Sequence, residues 1–183
     1  MQGVSSSQKI FLINCLVSIQ QPLSESGINN DYISSLFTKI RGYVSGLIDE
    51  EVVAILEKCK LQNKVSCIRD HVRKYNKSEI VAKEDEIDEE KPLAQIEDMD
   101  SSSFAESLKM FSALVIGSDG VVPEFQQIQD PQVRSEVSSG VAKALLQAYE
   151  LVYTSLLDPS NGYMDSKSML RHTPDQMKTI LGI

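Results

Sequence analysis

The chain has 183 residues, of which 42% are hydrophobic and 24% are charged, a composition that suits a globular protein with a real core. The 18 Lys and Arg residues are outnumbered by 26 Asp and Glu residues, so the net charge is −8. Because surfaces that bind duplex nucleic acid cluster Lys and Arg, this charge argues against nucleic acid as a partner.

The first predicted element is a helix over 7–20 that Pro22 is expected to end. Its apolar run, 10–19, is too short to cross a bilayer, which takes about 20 residues. The run also resembles the hydrophobic part of a signal peptide ending near Ser26, which would make the product a secreted helical protein. A single preceding cation and the interruption at Asn14 favour a buried amphipathic helix instead.

The second predicted helix begins at Asp31 and continues toward Cys59. Its apolar residues lie at helical spacing on one face, and they are Tyr32, Leu36, Ile40, Val44, Leu47 and Ile48. Gly42 and Gly46 lie within this helix, and each either weakens it by about 1 kcal/mol relative to alanine or lets a neighbouring helix approach closely. A third helix is expected over about 63–82.

Carboxylates then dominate the chain over 84–90 and recur up to residue 100. Like charges at this density repel one another and hold a chain open, so we expect 83–102 to be a disordered acidic loop. An EF-hand calcium loop is not expected there, because the segment contains no glycine. The flanking ranges, 1–82 and 103–183, are expected to pack as one helical unit, since either half alone would have a marginal core.

Further helices are predicted beyond the acidic segment. Ser103, with a glutamate three residues later, has the capping-box pattern that begins a helix. The clearest helix starts at Pro131, after an aspartate cap, and runs to Leu157. Thr173 and Pro174 start a short last helix. The chain is therefore predicted to be an all-α bundle of about five or six helices.

Residues with catalytic or metal-binding chemistry are sparse. Cys67 and His71 have the spacing of two ligands on one helix face, but a metal site needs three or four, and only Cys59 is near in sequence. The sequence has no glycine-rich phosphate loop, nucleophile elbow or zinc-protease motif. We therefore expect no enzymatic activity, no cofactor and no metal. The three cysteines form no C-x-x-C pair, which suits a reducing compartment.

Three stretches near the C-terminus, 148–153, 158–163 and 170–181, are more specific than helical periodicity. They resemble the C-terminal end of the sixth subunit of the conserved oligomeric Golgi complex. That family also closes with a long helix carrying Tyr-x-x-x-Tyr, an Asp-Pro-x-Asn-x-Tyr turn and a last helix opened by Ser/Thr-Pro. The segment 11–23 also fits an internal helix of the family. The matching motif positions are Tyr149, Tyr153, Asp158, Pro159, Asn161, Tyr163, Arg171, His172 and Pro174.

The resemblance implies a subunit of a Golgi vesicle-tethering complex of the type built from stacked helical bundles. Such a subunit acts by protein–protein interaction in intra-Golgi retrograde transport and in Golgi organisation. The implied location is peripheral, on the cytoplasmic face of the Golgi membrane. The implied partners are other subunits of the tethering complex, followed by SNAREs or small GTPases. Family members carry a long N-terminal region with a predicted coiled coil, so the chain is expected to correspond to their C-terminal portion.

An alternative function keeps the fold and changes the partner. Exocyst-type subunits share the helical architecture, and some of them bind phosphoinositide membranes through a basic surface. Binding by lipid charge takes a cluster of about 4–8 Lys or Arg. The densest basic stretch consists of Arg69, Arg73, Lys74, Lys77 and Lys83. It runs directly into the acidic segment, which offsets its charge, so we expect membrane association to be indirect and to depend on partner subunits.

Overall fold

The computed structural model describes residues 4–27, 30–78, 91–117 and 123–183. Within these ranges the secondary structure is helical and contains no strand. The helices are α1 (Ser6–Glu25), α2 (Asn30–Lys58), α3 (Gln62–Ser78), α4 (Ser101–Gly117), α5 (Pro131–Leu157), the single turn α6 (Ser166–Met169) and α7 (Pro174–Ile180). Short 3₁₀ turns lie at Leu93–Gln95, Pro123–Gln127 and Pro159–Asn161. The predicted all-α helical bundle is confirmed.

Side-chain caps explain where several helices begin. The Ser5 hydroxyl accepts a hydrogen bond from the backbone N–H of Gln8, and the Gln8 side chain accepts one from the Ser5 N–H, which forms a capping box for α1. The Asp130 carboxylate accepts a hydrogen bond from the Val133 N–H at 2.8 Å. Proline follows as the first residue of α5, where its missing N–H costs nothing, so the predicted start of this helix is confirmed.

The end predicted for the first helix is wrong. Pro22 lies inside α1, which continues to Glu25. Proline removes the single hydrogen bond that its own nitrogen would have donated to the carbonyl of Ser18, whereas its carbonyl still accepts from the N–H of Ser26. One missing bond near the last turn of the helix is therefore tolerated.

The acidic segment is not a loop throughout. Residues 83–90 lie outside the described residues, but residues 91–102 depart from the expectation of disorder. Leu93 and Met99 are buried there, while Glu97, Asp98 and Asp100 are exposed. The helix that follows begins at Ser101 and is capped by Asp100, whose Oδ1 accepts from the N–H groups of Ser102 and Ser103. Two buried apolar side chains and a cap thus offset the charge density.

The chain divides into two compact units, and each unit combines an early stretch with a late one. The first unit contains Met1–Val53 and Ser118–Ala144. The second contains Ala54–Gly117 and Leu145–Ile183. The predicted division into 1–82, 83–102 and 103–183 stays a prediction.

Packing in the first unit joins α1, α2, α5 and the Pro123–Gln127 turn. Its buried apolar residues are Ile10, Ile13, Leu36, Ile40, Val44, Leu47, Phe125, Ile128, Val137 and Val141. Asn14, which interrupts the apolar run of α1, has a structural role. Its amide donates to the carbonyl of Gln127 at 2.9 Å and accepts from the N–H of Gln129 at 3.0 Å. Lys9 pairs with Glu50, and this hydrogen bond holds the pKa of the Glu50 carboxyl below its usual value.

Glycines in the first unit have different surroundings. Among the described residues, none lies within 4 Å of a Cβ added at Gly42, so the close helix approach considered for this residue is wrong. At Gly46 it would lie 3.4 Å from the Lys9 side chain. The closest approach occurs at Gly140 of α5, where an added Cβ would come within 3.0 Å of Ile48 Cγ1 and closer still to its Cδ1. Gly140 therefore permits contact between α2 and α5.

The different surroundings of Gly140 and Gly42 predict that replacement by alanine changes the free energy of unfolding in opposite directions at the two positions. Gly140→Ala is expected to lower the free energy of unfolding by about 1–2 kcal/mol, because the clash with Ile48 outweighs the gain in helix propensity. Gly42→Ala, the matched control, is expected to raise it by about 0.5–1 kcal/mol. Urea denaturation of both variants measures this. If Gly140→Ala stabilised the protein as much as Gly42→Ala, the close packing would be contradicted.

Candidate functional site

The Asp-Pro-x-Asn-x-Tyr stretch forms a capped turn at the end of α5. The Asp158 carboxylate accepts from the Ser160 N–H at 2.9 Å and from the Ser160 hydroxyl at 2.7 Å. These hydrogen bonds hold the pKa of Asp158 below its usual value. Pro159 takes the first position of the turn. Gly162 closes it with φ of +79°, in the left-handed region that favours glycine.

Asn161 turns inward and anchors this segment. Its side chain is buried, and its amide donates to the backbone carbonyl of Ser155 at 2.9 Å, which ties the turn to the last part of α5. A Cβ added at Gly162 would lie 3.3 Å from Pro92 and 3.6 Å from Ala94. The turn is therefore packed against the segment that leads into α4.

Tyr163 joins the same segment by a hydrogen bond. Its buried hydroxyl donates to the backbone carbonyl of Met99 at 2.8 Å. Its ring meets the fully buried ring of Phe104 edge-on, with centroids 5.7 Å apart and planes at 88°. Burial raises the pKa of the Tyr163 hydroxyl. One side chain therefore connects the turn after α5 to the beginning of α4.

Tyr149 makes the corresponding connection to the chain before α7. Its buried ring stacks on Phe111 of α4, with centroids 5.9 Å apart and planes at 12°. Its hydroxyl donates to the backbone carbonyl of His172 at 2.5 Å. Tyr153, one turn later on α5, is half-buried, and its ring lies 6.2 Å from that of Tyr149. The Tyr-x-x-x-Tyr pattern thus places one ring in the core and one at its edge.

The last helix begins as predicted. The Thr173 hydroxyl accepts from the Gln176 N–H, and the Gln176 side chain accepts in return from the Thr173 N–H. Pro174 occupies the first helical position and is half-buried. The helix buries Met177 completely. Arg171, just before it, is exposed.

The motif positions therefore fall into three groups. Tyr149, Asn161 and Tyr163 are buried and donate hydrogen bonds to backbone carbonyls of this chain; we call these three residues the C-terminal clamp. Tyr153, His172 and Pro174 are half-buried, and Asp158, Pro159 and Arg171 are exposed. The clamp fixes the path of the chain after α5, because its donors bind α5, the segment before α4 and the residue before Thr173.

Burial of the clamp predicts a loss of stability at alkaline pH. Burial raises the pKa of Tyr149 to about 12, whereas a tyrosine in an unfolded chain loses its proton near about 10. Between these values unfolding releases the proton of Tyr149, so this residue lowers the free energy of unfolding as the pH rises, by at most about 1.4 kcal/mol per pH unit. Tyr149→Phe is expected to reduce this slope, and Tyr32→Phe, at an exposed position, is expected to leave it unchanged. Urea denaturation at several pH values between 9 and 12 tests this, and equal slopes in all three proteins would contradict it.

A polar cleft also lies in the second unit, and the sequence motifs do not indicate it. It has a volume of about 830 Å³. Residues of α2, α3, α4 and the connecting segments line it, including Glu57, Lys60, Lys64, Cys67, Asp98, Asp100 and Glu106. Carboxylates outnumber lysines among these residues, so the cleft is acidic and does not attract anions.

Lys64 is the unusual residue of this cleft, because its side chain is buried. Its ammonium group lies 5.5 Å from the centre of the Phe104 ring, a cation–π arrangement. Desolvation lowers the pKa of Lys64, and the nearby carboxylates of Asp98 and Asp100 act in the opposite direction. The sequence carries one signal of this burial: Lys64 stands directly before Val65, one turn from Leu61 and Ile68 on the inward face of α3.

The described ranges contain His, Cys, Asp and Glu side chains that are possible metal ligands. In that part of the chain, no set of three or more His, Cys, Asp and Glu side chains is placed to bind a metal ion. Cys67 is half-buried, and burial raises the pKa of its thiol. Among the described helices, none combines the length and the apolar character needed to cross a membrane.

Comparison with known proteins identifies the family of the chain. The family model described as Conserved Oligomeric Golgi complex subunit 6, C-terminal, matches residues 2–181. Conserved oligomeric Golgi complex subunit 6 of Arabidopsis thaliana is 40% identical over 182 residues, which is 100% of this chain and 24% of that protein. The Dictyostelium discoideum protein of the same name is 27% identical, over 96% of this chain and 24% of its own length. The Homo sapiens protein is 20% identical, over 93% of this chain and 24% of its own length.

The chain thus spans about a quarter of the length of these relatives. No solved structure matches it. The family model covers almost every residue, and the likeness to the Arabidopsis protein extends over the whole chain. The chain belongs to the family of C-terminal regions of conserved oligomeric Golgi complex subunit 6.

Proposed function

We propose that this chain serves as the C-terminal part of a subunit of a Golgi vesicle-tethering complex and acts by binding other proteins in intra-Golgi retrograde transport. The observation that carries the proposal is the family match over residues 2–181. The geometry is consistent with it, since the side chains of the C-terminal clamp are engaged within the chain and build a scaffold. A rigid helical scaffold offers long outer faces for protein partners.

The same family match supports the proposed location and partners. The chain is placed peripherally, on the cytoplasmic face of the Golgi membrane, and is held there by other subunits of the complex. Those subunits are its first partners, and SNAREs or small GTPases are the second group. In this role the chain supports Golgi organisation without catalysing a reaction.

Affinity capture tests the proposal directly. The tagged chain is expressed in Arabidopsis cells, captured under mild conditions and analysed by quantitative mass spectrometry. Other subunits of the conserved oligomeric Golgi complex are expected to be enriched at least tenfold over a capture with the Tyr163→Ala variant, whose clamp is disrupted. Capture of a folded wild-type chain without any enrichment of these subunits would contradict the proposal.

A second candidate, phosphoinositide binding, is motivated by the basic residues of α3. Arg69, Arg73 and Lys74 have exposed side chains on this helix. Asp70 lies among them in the sequence, and its carboxylate oxygen Oδ1 is 3.9 Å from Nη1 of Arg73. Three cations with an interposed carboxylate fall short of the cluster of about 4–8 that lipid charge requires. The positions of the side chains of Lys77 and Lys83 lie outside the described residues.

A flotation assay separates the two candidates. The purified chain is expected to stay unbound with liposomes that contain phosphoinositides at physiological salt, because each basic residue near the surface contributes only about 1 kcal/mol. The triple variant Arg69→Glu, Arg73→Glu and Lys74→Glu is the control. If the wild-type chain floated with the liposomes and the triple variant did not, direct lipid binding would replace the first candidate.

A further inference from the structure

The outer face of α1 has the composition of a covered surface. The outer face of α1 consists of Phe11, Cys15 and Ile19, and Val4 lies just before the helix. Phe11 is 66% exposed, Ile19 is 50% exposed and Val4 is 39% exposed. Cys15, between Phe11 and Ile19 on the same side of the helix, is half-buried. The opposite side of α1 is already packed in the first unit, where Ile10 and Ile13 are buried.

The middle of α1 carries no charge on either side, and its exposed residues are a mixture of large apolar side chains with Ser and Gln. Between Lys9 and Glu25 the sequence has no charged residue. By contrast, the exposed residues of α2 in the same unit include Lys39, Arg41 and Asp49, which is the usual composition of a solvated face. Large apolar side chains that are exposed together on an uncharged face are typical of an interaction surface. The centres of protein interfaces are likewise depleted in charge and enriched in aromatic residues.

The position of α1 in the family indicates what covers it. The matching model is that of the C-terminal region, and about three quarters of each relative lies outside the match. The match to this C-terminal model starts at residue 2, so α1 is the first helix within the match, and the unmatched part of the relatives precedes it. Consecutive helices usually pack as neighbours, and the covalent link gives the preceding segment a high effective concentration.

We propose that the outer face of α1 is the docking surface for an uncharged apolar face of a helix in the part of subunit 6 that precedes this region. The inference rests on the proposed function, in that the chain works as the C-terminal part of a larger subunit. Phe11 is the central anchor, since a large exposed aromatic ring supplies the most apolar area for burial. Ile19 extends the contact by two helical turns.

Cys15 lies within this surface and provides a chemical probe. A chimera is made from the full-length Arabidopsis relative with its C-terminal quarter replaced by this chain. Alkylation by N-ethylmaleimide is followed for each cysteine peptide by mass spectrometry, in the chimera and in the 183-residue chain. Cys67 of α3, also half-buried, is the internal control.

The alkylation of Cys15 is expected to be at least tenfold slower in the chimera than in the 183-residue chain, whereas Cys67 changes by less than twofold. Phe11→Glu or, independently, Ile19→Glu in the chimera is expected to restore the fast rate. Circular dichroism checks that both variants fold, as their exposed positions predict. Equal Cys15 rates in chimera and chain would overturn the inference.

Two other possible occupants of the outer face of α1, a second copy of the chain and a membrane, are distinguished by separate measurements. A dimer of the 183-residue chain that Phe11→Glu dissociates would show that a second copy covers the face, and the inference would fail. Flotation with phosphatidylcholine vesicles that Phe11→Glu abolishes would assign the face to the membrane and would also overturn it. If the chimera captured other complex subunits while Cys15 stayed reactive, the proposed function would stand and this inference alone would fall.

Discussion

Replacing Tyr163 by alanine is expected to lower the free energy of unfolding by about 3–5 kcal/mol, the usual cost of deleting a buried aromatic side chain. Three contributions are lost together. The ring no longer meets Phe104 edge-on, the hydrogen bond to the carbonyl of Met99 disappears, and a cavity remains in the second unit. Because small proteins are stable by only about 5–15 kcal/mol, a partly unfolded population is expected at 37 °C.

Tyr163→Phe separates the hydrogen bond from the packing. It keeps the ring but leaves the buried Met99 carbonyl without its donor, and it is expected to cost about 1–3 kcal/mol. Tyr32→Ala, at an exposed tyrosine, is the matched control and is expected to cost less than about 0.5 kcal/mol. Urea denaturation followed by circular dichroism measures all three. The clamp would be contradicted by a Tyr163→Ala protein as stable as Tyr32→Ala.

Ile13→Ala in α1 is expected to lower the free energy of unfolding by about 2–5 kcal/mol. Its side chain is fully buried in the first unit, so the substitution leaves a cavity where little can collapse. Phe11→Ala, two residues earlier, removes a larger side chain and is expected to cost under about 1 kcal/mol in the 183-residue chain, because the ring is exposed.

Comparing the losses of unfolding free energy in Ile13→Ala and Phe11→Ala shows which side of α1 packs into the core. Thermal and urea denaturation of both variants, with the wild-type chain as reference, provide the comparison. A larger loss of stability from Phe11→Ala than from Ile13→Ala would mean that the helix is rotated, and the outer face of α1 would then be its inner one.

Helix positions were predictable because their signals are local. Proline after an aspartate marks the start of α5, and Thr173 with Pro174 marks the start of α7. Caps and apolar spacing lie within a few residues of the helix they define, so one sequence is enough to locate them. The end of α1 was missed because the tolerance for Pro22 depends on the single hydrogen bond that it removes.

The order of residues 91–102 was missed for a different reason. Charge density predicts an open chain, but Leu93 and Met99 are buried, and the backbone carbonyl of Met99 accepts a hydrogen bond from the hydroxyl of Tyr163, which is distant in sequence. A local pattern carries no information about such contacts. Sequence alone does not separate Asp100 from Ser103 as the cap, because Asp and Ser cap helices equally well.

The sequence motif names residues of the candidate site, but it does not indicate which groups those residues contact. The motif located Tyr149, Asn161 and Tyr163, while their acceptors, the carbonyls of His172, Ser155 and Met99, follow only from the fold. Gly140 shows the same limit. Its sequence neighbours give no sign that Ile48 of another helix lies against it, whereas Gly42, which the pattern singled out, meets nothing.

The most direct test of the central claim is exchange of this chain into a full-length relative. The chimera with the Arabidopsis protein is produced in Arabidopsis cells that lack their own subunit 6, and its captured partners are compared with those of the wild-type subunit. The chimera is expected to capture the other complex subunits at levels within about twofold of wild type, and the Tyr163→Ala chimera is expected to capture several times less. A folded chimera that captures none of these subunits would contradict the claim that the chain is a working C-terminal part of the complex.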